Sequence, residues 1–200
     1  MLDDFTRHDL DGLHDFWTGR LPEPLIPDDE AFEALWTLHP EDFHEIHIHG
    51  RKVKTPRWQQ AFGADYHYTG QTNRALPLTD ALRPFLEWAC ACVDPRLNGL
   101  LLNWYDGTLG HYIGRHRDSI TDMIPGAPIV TISLGQERTF RLRPWKGRQA
   151  LDFPTPHGAV FALPYATNLA WTHEVPASKR ATGRRISITL RAFQSAATPP

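Results

Sequence analysis

His116 and Asp118 lie two residues apart, and His173 follows later in the same chain. Two imidazoles and one carboxylate can occupy one face of a non-haem Fe(II) ion and leave three coordination positions open for a co-substrate and O2. These three residues therefore predict an iron site that catalyses oxygenation, with His116, Asp118 and His173 as its ligands.

A His-x-Asp triplet is weak evidence by itself, because a chain with 11 histidines contains such triplets by chance. A related triplet that begins at His39 lies in an acidic stretch with no arginine pair close behind it. His116, in contrast, follows an Asn-x-Tyr-x-Gly pattern at residues 103–107 and precedes a distal histidine and two arginines. The Asn-x-Tyr-x-Gly pattern, the His-x-Asp triplet, the distal histidine and the two arginines rarely occur in this order by chance. Together they favour a metal site over an ordinary surface or core histidine.

Strands must position these ligands. Side chains repeat every two residues along a strand, so His116 and Asp118 would point to the same side. Three ligands on one extended strand would lie too far apart to bind one ion, so the third must come from another strand. His173 meets that requirement.

The segment after His173 predicts a strand with one polar and one apolar face, because the two residue classes alternate from position 185 to 191. Arg185 and Arg191 stand at the two ends of the polar face, and guanidinium pairs with carboxylate in a bidentate fork. Their backbones lie about 20 Å apart in an extended strand, so both side chains must lean inward to hold one dicarboxylate. A solvated outer face would explain the arginines of an arbitrary strand, but beside a metal ligand we favour a site for 2-oxoglutarate.

The remaining pattern predicts a mainly β fold of the α+β class. A short amphipathic helix begins at residues 28–30, a second helix covers about residues 78–93, and residues 43–54 alternate as a strand with a turn near position 50. Short strands with glycine and proline between them follow Pro95, which favours a sandwich or jelly roll over an alternating α/β fold. These strands are predicted at residues 99–105, 111–116, 128–134, 138–143, 158–163, 168–173 and 185–193.

Several short motifs carry a resemblance to a known family. They are Asn103-x-Tyr105-x-Gly107, Ile113-Gly114-x-His116-x-Asp118, Pro128-Ile129 leading to Ser133-Leu134-Gly135, His173, and the alternating segment 185–191. With them the chain resembles the AlkB family of Fe(II)/2-oxoglutarate dioxygenases from about residue 50 to 193. Residues 56–63 and 66–70 resemble the nucleotide-recognition lid of the DNA-repair members of that family.

This resemblance implies the co-substrate site and the fold. Asn103 and Tyr105 would hydrogen-bond 2-oxoglutarate, Arg185 would hold its distal carboxylate, and Arg191 would hold the carboxylate near the metal. The fold would be a double-stranded β-helix, or jelly roll, with N-terminal helices and a substrate-recognition lid. We expect an N-terminal arm at residues 1–27, a single dioxygenase domain at 28–193, in which residues 28–98 hold the helices and lid and 99–193 the core, and a tail at 194–200.

The resemblance also implies a substrate. Arg57, Tyr66 and Tyr68 would bind a flipped N-alkylated base of DNA, which would be oxidatively dealkylated with Fe(II), 2-oxoglutarate and O2 and release succinate, CO2 and an aldehyde. The alternative interpretation of the tyrosines is two strand aromatics packed in an ordinary core, which we favour less. Ile120 stands where the DNA-repair members usually carry an acid that contacts the base, and Asp122 would replace it only if the loop were rearranged. The lesion preference is therefore open.

Two alternatives to a DNA demethylase stay open at this point. The first is the same oxygenase chemistry on RNA, a protein side chain or a small molecule. The second is a non-catalytic binding module, which the intact iron and oxo-acid residues disfavour. DNA is the nucleic acid that the sequence favours over RNA.

Composition limits the class of protein. The chain of 200 residues fits one domain with a substantial core. It contains no apolar run of about 18 residues and opens with acids, so we expect neither a membrane span nor a secretory signal. Cys90 and Cys92 lie two residues apart in a predicted helix and face different directions, which agrees with a reducing compartment. We expect a cytoplasmic, soluble monomer.

Charge is distributed unevenly. The first 50 residues hold 13 acidic and 2 basic side chains, whereas residues 51–200 hold 10 acidic and 19 basic ones. Two basic clusters, within residues 138–148 and 179–184, suit phosphate contacts, although solvated loop charges explain them equally well. The acidic segment could cover part of the basic body or aid solubility.

Overall fold

The computed structural model describes residues 4–48, 51–68 and 70–194, with the side chains of residues 47 and 48 excepted. The predicted tail lies outside this range apart from Gln194. In chain order the strands are β1 (Thr6–Asp9), β2 (Asp15–Arg20), β3 (Glu45–Ile48), β4 (Arg51–Lys54), β5 (Trp58–Phe62), β6 (Tyr66–Tyr68), β7 (Gln71–Asn73), β8 (Ala75–Leu76), β9 (Gly99–Asp106), β10 (Ile113–His116), β11 (Ile129–Gly135), β12 (Thr139–Pro144), β13 (Leu151–Pro154), β14 (Ala159–Leu163), β15 (Trp171–Val175) and β16 (Arg184–Arg191). The α-helices are α1 (Asp29–Trp36), α2 (Arg83–Cys92) and α3 (Tyr165–Ala170), and a 3-10 turn covers Glu23–Leu25.

The strands form a large and a small sheet with a shared core. The large sheet has the order β1-β2-β14-β11-β16-β9-β5-β8, and the small sheet has the order β10-β15-β12-β13. Two hairpins, β3–β4 and β6–β7, stand apart from both sheets. This arrangement is the predicted mainly β jelly roll, and the fold class is confirmed.

Strand β16 separates two apolar layers. Ile186, Ile188 and Leu190 are fully buried on the face that packs against α1 and α2. The alternate residues, from Arg185 to Arg191, face the space between the two sheets. This period of two is the one that the sequence predicted, because opposite faces of a strand carry alternate side chains.

The N-terminal segment, which the sequence assigned to a separate arm at residues 1–27, contributes strands β1 and β2 to the large sheet. Strand β2 pairs with β14, and Phe16 is fully buried between the sheets, where it stacks on Phe140 and Phe161. Trp17 packs against the other layer. Because both faces of β2 are covered, the strand lacks the simple polar and apolar alternation of a half-buried strand.

Other boundaries also differ from the prediction. Residues 165–170 form helix α3, so the strand predicted at 168–173 begins only at Trp171. The helix predicted at 78–93 begins at Arg83, after a turn in which Leu82 and Arg83 donate to the carbonyl of Thr79. In the part of the chain that the structure describes, no helix has the length and apolar character needed to cross a membrane.

Candidate metal and co-substrate site

A cavity of about 510 Å³ lies between the two sheets. Both sheets, the β3–β4 hairpin and strand β6 contribute to its wall. All ten residues that the sequence predicted for the site line it: Arg57, Tyr66, Tyr68, Asn103, Tyr105, His116, Asp118, His173, Arg185 and Arg191. Residues far apart in the chain therefore meet around one cavity.

His116, Asp118 and His173 form a cluster that can hold a metal ion. Their ligand atoms lie within 4.8 Å of one another. Oδ1 of Asp118 is 3.5 Å from Nε2 of His116 and 3.6 Å from Nε2 of His173. Two imidazoles and one carboxylate on the same side leave the opposite side open, which suits a non-haem iron ion with free coordination positions.

The two histidines come from neighbouring strands and are directly paired. His116 on β10 lies opposite His173 on β15. Nδ1 of His116 donates to the carbonyl of Gly114 at 2.8 Å, which leaves Nε2 as the lone-pair donor. Burial, together with His116, lowers the pKa of His173. His173 is therefore held neutral, as a metal ligand must be.

Asp118 reaches the cluster differently from the sequence argument. Strand β10 ends at His116, so Asp118 lies in the loop beyond it and strand alternation does not position it. The side-chain amide of Asn168 positions it instead. Oδ1 of Asn168 accepts from the backbone N–H of Asp118 at 3.0 Å, and Nδ2 donates to the carbonyl of Asp118 at 3.1 Å. No sequence pattern selected Asn168, because its role depends on helix α3.

Arg191 is the charge partner of the metal carboxylate. Its Nη2 and Nε donate to Oδ2 of Asp118 at 2.6 and 3.2 Å, and both side chains are buried. Burial alone would raise the pKa of Asp118, but Arg191 and the two imidazoles outweigh it and hold that pKa well below its ordinary value. Asp118 is thus ionised, and its other oxygen faces the histidines.

Arg185 has no carboxylate partner in the part of the chain that the structure describes. Its guanidinium is almost fully buried, its Nε donates to Oγ of Ser133 at 2.9 Å, and its Nη1 has no hydrogen-bond acceptor among the described residues. Burial lowers the pKa of Arg185 to about 10, which still leaves it charged near neutrality. A buried cation with an unfilled donor is costly unless an anion completes it.

The second end of the cavity therefore fits a carboxylate. Arg185 supplies the charge, and Tyr105, whose ring lies 5.0 Å from the guanidinium carbon, lines the same wall with Asn103. With a metal cluster at one end and an unpaired guanidinium at the other, the cavity fits Fe(II) together with 2-oxoglutarate. Ser133, which orients Arg185, was not predicted as a site residue.

The two tyrosines of β6 form a stacked pair on the cavity wall. The rings of Tyr66 and Tyr68 are 5.1 Å apart and 24° from parallel. Tyr66 lies under the guanidinium of Arg191 at 4.4 Å, and its hydroxyl accepts from the N–H of Ser119 at 3.2 Å. Burial and the nearby Asp118 raise the pKa of Tyr66, so its hydroxyl stays protonated.

Arg57 links the tyrosines to the co-substrate end. Its Nε donates to Oδ1 of Asn103 at 2.7 Å, and its Nη2 donates to Oε1 of Gln59 at 3.2 Å. Nε2 of Gln59 in turn donates to the hydroxyl of Tyr68. Gln59 was missed from the sequence, because only the fold shows that its side chain bridges two predicted residues.

The position of the absent acid lies away from the base pocket. The side chain of Ile120 is 39% exposed and does not line the cavity. Asp122, the candidate replacement, has a φ of +62° and turns toward strand β6, where its Oδ2 is 3.0 Å from Nδ1 of His67. Neither side chain supplies an acid to the cavity.

Most of the predicted phosphate-binding arginines have other partners. Arg138 is buried and donates to the carbonyls of His111 and Pro176. The arginines at positions 141, 143 and 184 form ion pairs with Asp152, Glu174 and Glu33, respectively. Glu33 belongs to α1, so the acidic segment contacts the basic body at this ion pair.

Comparisons with known proteins agree with this geometry. A family model described as the 2OG-Fe(II) oxygenase superfamily matches residues 31–191. The DNA oxidative demethylase ALKBH2 of Mus musculus is 27% identical over 158 residues, which cover 74% of this chain and 66% of the mouse protein. ALKBH2 of Homo sapiens is 27% identical over 157 residues, which cover 73% of this chain and 60% of the human protein. The chain thus spans less than two thirds of the length of these relatives.

A solved structure shares the fold. The structure of OsALKBH1 superposes with a TM-score of 0.54 at 15% sequence identity, and the match covers 94% of this chain and 100% of that one. At this identity the likeness concerns the arrangement of strands and helices alone.

Proposed function

This chain belongs to the 2OG-Fe(II) oxygenase superfamily, and from that premise we propose that it oxidatively dealkylates N-alkylated bases in DNA. The reaction would consume 2-oxoglutarate and O2 and release succinate, CO2 and an aldehyde. The names of the curated relatives, DNA oxidative demethylases, support DNA as the substrate class.

One observation carries the proposal: a metal-binding cluster, an unpaired buried guanidinium and a stacked tyrosine pair share one cavity. The first two fit iron and a dicarboxylate. The third is a surface on which the flat ring of a base can stack. A metal store would need only the cluster, so the other two features favour catalysis.

His116, Asp118 and His173 would hold the iron, which when bound supplies, with O2 and the oxo acid, the oxidation of an unreactive C–H bond. The protein contributes position and charge. Arg185 would anchor the distal carboxylate, so that the keto acid extends toward the cluster. Arg191 keeps Asp118 ionised and aimed at the metal position.

Tyr66 and Tyr68 would receive the base. A base inside a duplex is out of reach of any buried metal, so the nucleotide must rotate out of the stack at a cost of a few kcal/mol, which is lowest for a damaged base. An alkylated base that carries a positive charge would be favoured by an aromatic ring face by about 1 to 2 kcal/mol when water is excluded. The Arg57–Gln59 link would hold Tyr68 in place for this contact.

The test is a product assay with synthetic oligonucleotides that carry 1-methyladenine, 3-methylcytosine or an etheno base, each as single-stranded and duplex DNA. We expect formaldehyde from the methylated strands in amounts equal to succinate. His116→Ala should abolish both products, while Leu76→Ala, on the far edge of the large sheet, should not. Release of succinate without any dealkylated base would contradict DNA repair as the function.

The same assay with RNA strands tests the other substrate class. Position 120 carries isoleucine and Asp122 lies outside the cavity. The contact that an acid of the DNA-repair members usually makes with the base is therefore missing. Faster turnover on methylated RNA than on methylated DNA of the same sequence would move the proposal to RNA. Equal rates would indicate that the cavity reads the base and not the sugar.

A further inference from the structure

The turn between β12 and β13 presents an exposed tryptophan near the cavity. The side chain of Trp145 is 51% exposed, although tryptophan usually buries most of its surface. Its neighbour Arg117 lines the cavity and lies between two residues of the metal cluster in the sequence. Through Arg117, the exposed ring is in contact with the wall of the cavity.

This turn is held rigidly. The N–H of Trp145 donates to the carbonyl of Ala170 at 2.8 Å. Nη2 of Arg115 donates to the carbonyls of Pro144 and Trp145 at 2.6 and 2.9 Å, and its Nε donates to Oγ1 of Thr172 at 2.7 Å. Because these hydrogen bonds anchor the turn, the side chain of Trp145 is held in a fixed place. Binding of a partner there therefore costs the protein little conformational entropy.

One face of the indole is already covered. The guanidinium carbon of Arg117 lies 4.0 Å from the ring centroid, and Nη1 of Arg117 donates to the carbonyl of Leu169 at 2.7 Å. A guanidinium on one face fixes the ring plane through a cation–π contact. The exposed part of the ring is then free to stack with a second flat group.

The charges beside the ring are positive and have no acidic partner within the described ranges. Lys146 and Arg148 are exposed, and among the residues that the structure describes neither has a carboxylate within 4.0 Å. This contrasts with Arg141 and Arg143 of the same hairpin, which are bound to acids. An aromatic ring flanked by free cations complements a nucleic-acid strand, which combines stacked bases with phosphates.

We propose that Trp145 is a stacking platform for a base that flanks the nucleotide held in the cavity, and that Lys146 and Arg148 contact the neighbouring phosphates. This inference rests on the proposed function, because it assigns a second contact to the same strand. The platform reads no sequence, since every base has a flat face. It increases affinity for a strand over a single nucleotide.

The experiment measures binding of a fluorescein-labelled 15-nucleotide single strand with one central 1-methyladenine, by anisotropy at fixed salt. We expect Trp145→Ala to raise the dissociation constant about tenfold or more, since base–aromatic stacking is typically worth that factor. Trp145→Phe should keep most of the affinity. Leu76→Ala removes a similarly exposed apolar side chain from β8, the edge strand of the large sheet, and should change nothing.

A second measurement separates stacking from charge. Lys146→Gln combined with Arg148→Gln should reduce the slope of log affinity against log salt by about 1 to 2, because each neutralised phosphate contributes close to one ion. Trp145→Ala should leave that slope unchanged. Equal affinities of wild type, Trp145→Ala and Trp145→Phe would overturn the platform, as would equal losses in both tryptophan variants.

Failure of the platform and failure of the proposed function are distinguishable. If methylated strands are dealkylated but binding is insensitive to Trp145→Ala, the platform is wrong and the enzyme function stands. If strands bind through Trp145 but no alkylated base is turned over, the platform stands and the substrate is another nucleic acid. Binding of 2-oxoglutarate, measured in parallel, shows that each variant retains its folded cavity.

Discussion

The two ends of strand β16 each carry a buried arginine, but the two guanidiniums lie in different electrostatic environments. Arg191 is buried against Asp118, and that carboxylate raises its pKa against the effect of burial. Arg185 is equally buried, has no carboxylate partner among the described residues, and has its pKa lowered by burial. The charge of Arg191 is balanced by a carboxylate of the protein, and the charge of Arg185 is available to pair with an anionic ligand.

The difference separates a contact made for positioning from one made for binding. The pair of Arg191 and Asp118 exists before any ligand arrives, so it contributes to the shape of the metal cluster. The charge of Arg185 is a local cost of folding, because a desolvated cation without its counter-ion is unfavourable. An anion that binds there recovers this cost as affinity.

Removal of Asp118 is expected to have the largest effect. Asp118→Ala should abolish turnover, because the metal loses a ligand, and should lower the free energy of unfolding by about 3 to 5 kcal/mol, because Arg191 is left buried and unpaired. His116→Ala should also abolish turnover but cost far less stability, since His116 is partly exposed. Urea unfolding of the metal-free variants gives the comparison. Equal losses of stability in the two variants would falsify the positioning role of the pair.

Replacement of the two arginines should give opposite results. Arg185→Met should weaken 2-oxoglutarate binding by about 30-fold or more, because truncation of a buried charge partner costs at least about 2 kcal/mol. The same variant should be as stable as wild type, or more stable, without ligand. Arg191→Met should lower the stability of the free protein, because Asp118 loses its partner. Titration calorimetry measures the affinity for 2-oxoglutarate, and urea unfolding measures the stability of each variant. A loss of stability in Arg185→Met would show that the charge of Arg185 is already compensated within the protein.

A diacid alone should stabilise the protein through Arg185. Glutarate, which lacks the keto oxygen, should raise the free energy of unfolding by about 2.7 kcal/mol at 100 times its dissociation constant. Because the contact is at the Arg185 end, the effect should persist after iron is removed with a chelator and vanish in Arg185→Met. Melting temperature against glutarate concentration is the measurement. An equal rise in Arg185→Met would place the diacid elsewhere.

The smallest effect is expected from the residue that orients Arg185. Ser133→Ala removes the hydrogen bond to Nε of Arg185, which is worth about 0.5 to 1.5 kcal/mol. The KM for 2-oxoglutarate should therefore rise a few-fold while kcat and the KM for the nucleic acid stay constant. Ser133→Thr, which keeps the hydroxyl, is the matched control. A parallel loss in both KM values would indicate a general distortion of the sheet.

The sequence predicted those parts of the molecule that repeat locally. Alternation along residues 185–191 indicated the face on which both arginines lie, and the spacing of short strands indicated a sandwich or jelly roll. The resemblance to the AlkB family, which rested on short motifs, is confirmed by the family match and the relatives. The roles of the individual site residues remain predictions for the experiments above.

Contacts made across the fold were beyond the sequence. Asn168 holds the backbone of Asp118 from a helix fifty positions away in the chain, and no local pattern marks it. Gln59 joins two predicted residues only because β5 and β6 come together. The resemblance assigned Arg191 to the ligand carboxylate near the metal, but nothing in the sequence indicated that its guanidinium also pairs with Asp118. Pairing between distant polar groups depends on tertiary packing, which periodicity does not encode.

Strand β2 has a practical consequence for anyone who shortens this chain. A cut made just before α1, at the end of the arm that the sequence assigned to residues 1–27, would remove β2 from the edge of β14 and Phe16 from the apolar layer between the sheets. The bare strand would then offer a row of free backbone donors and acceptors to other copies of the protein, which is a common start of aggregation. Poor recovery of such a truncated protein would reflect this exposed edge and say nothing about its chemistry.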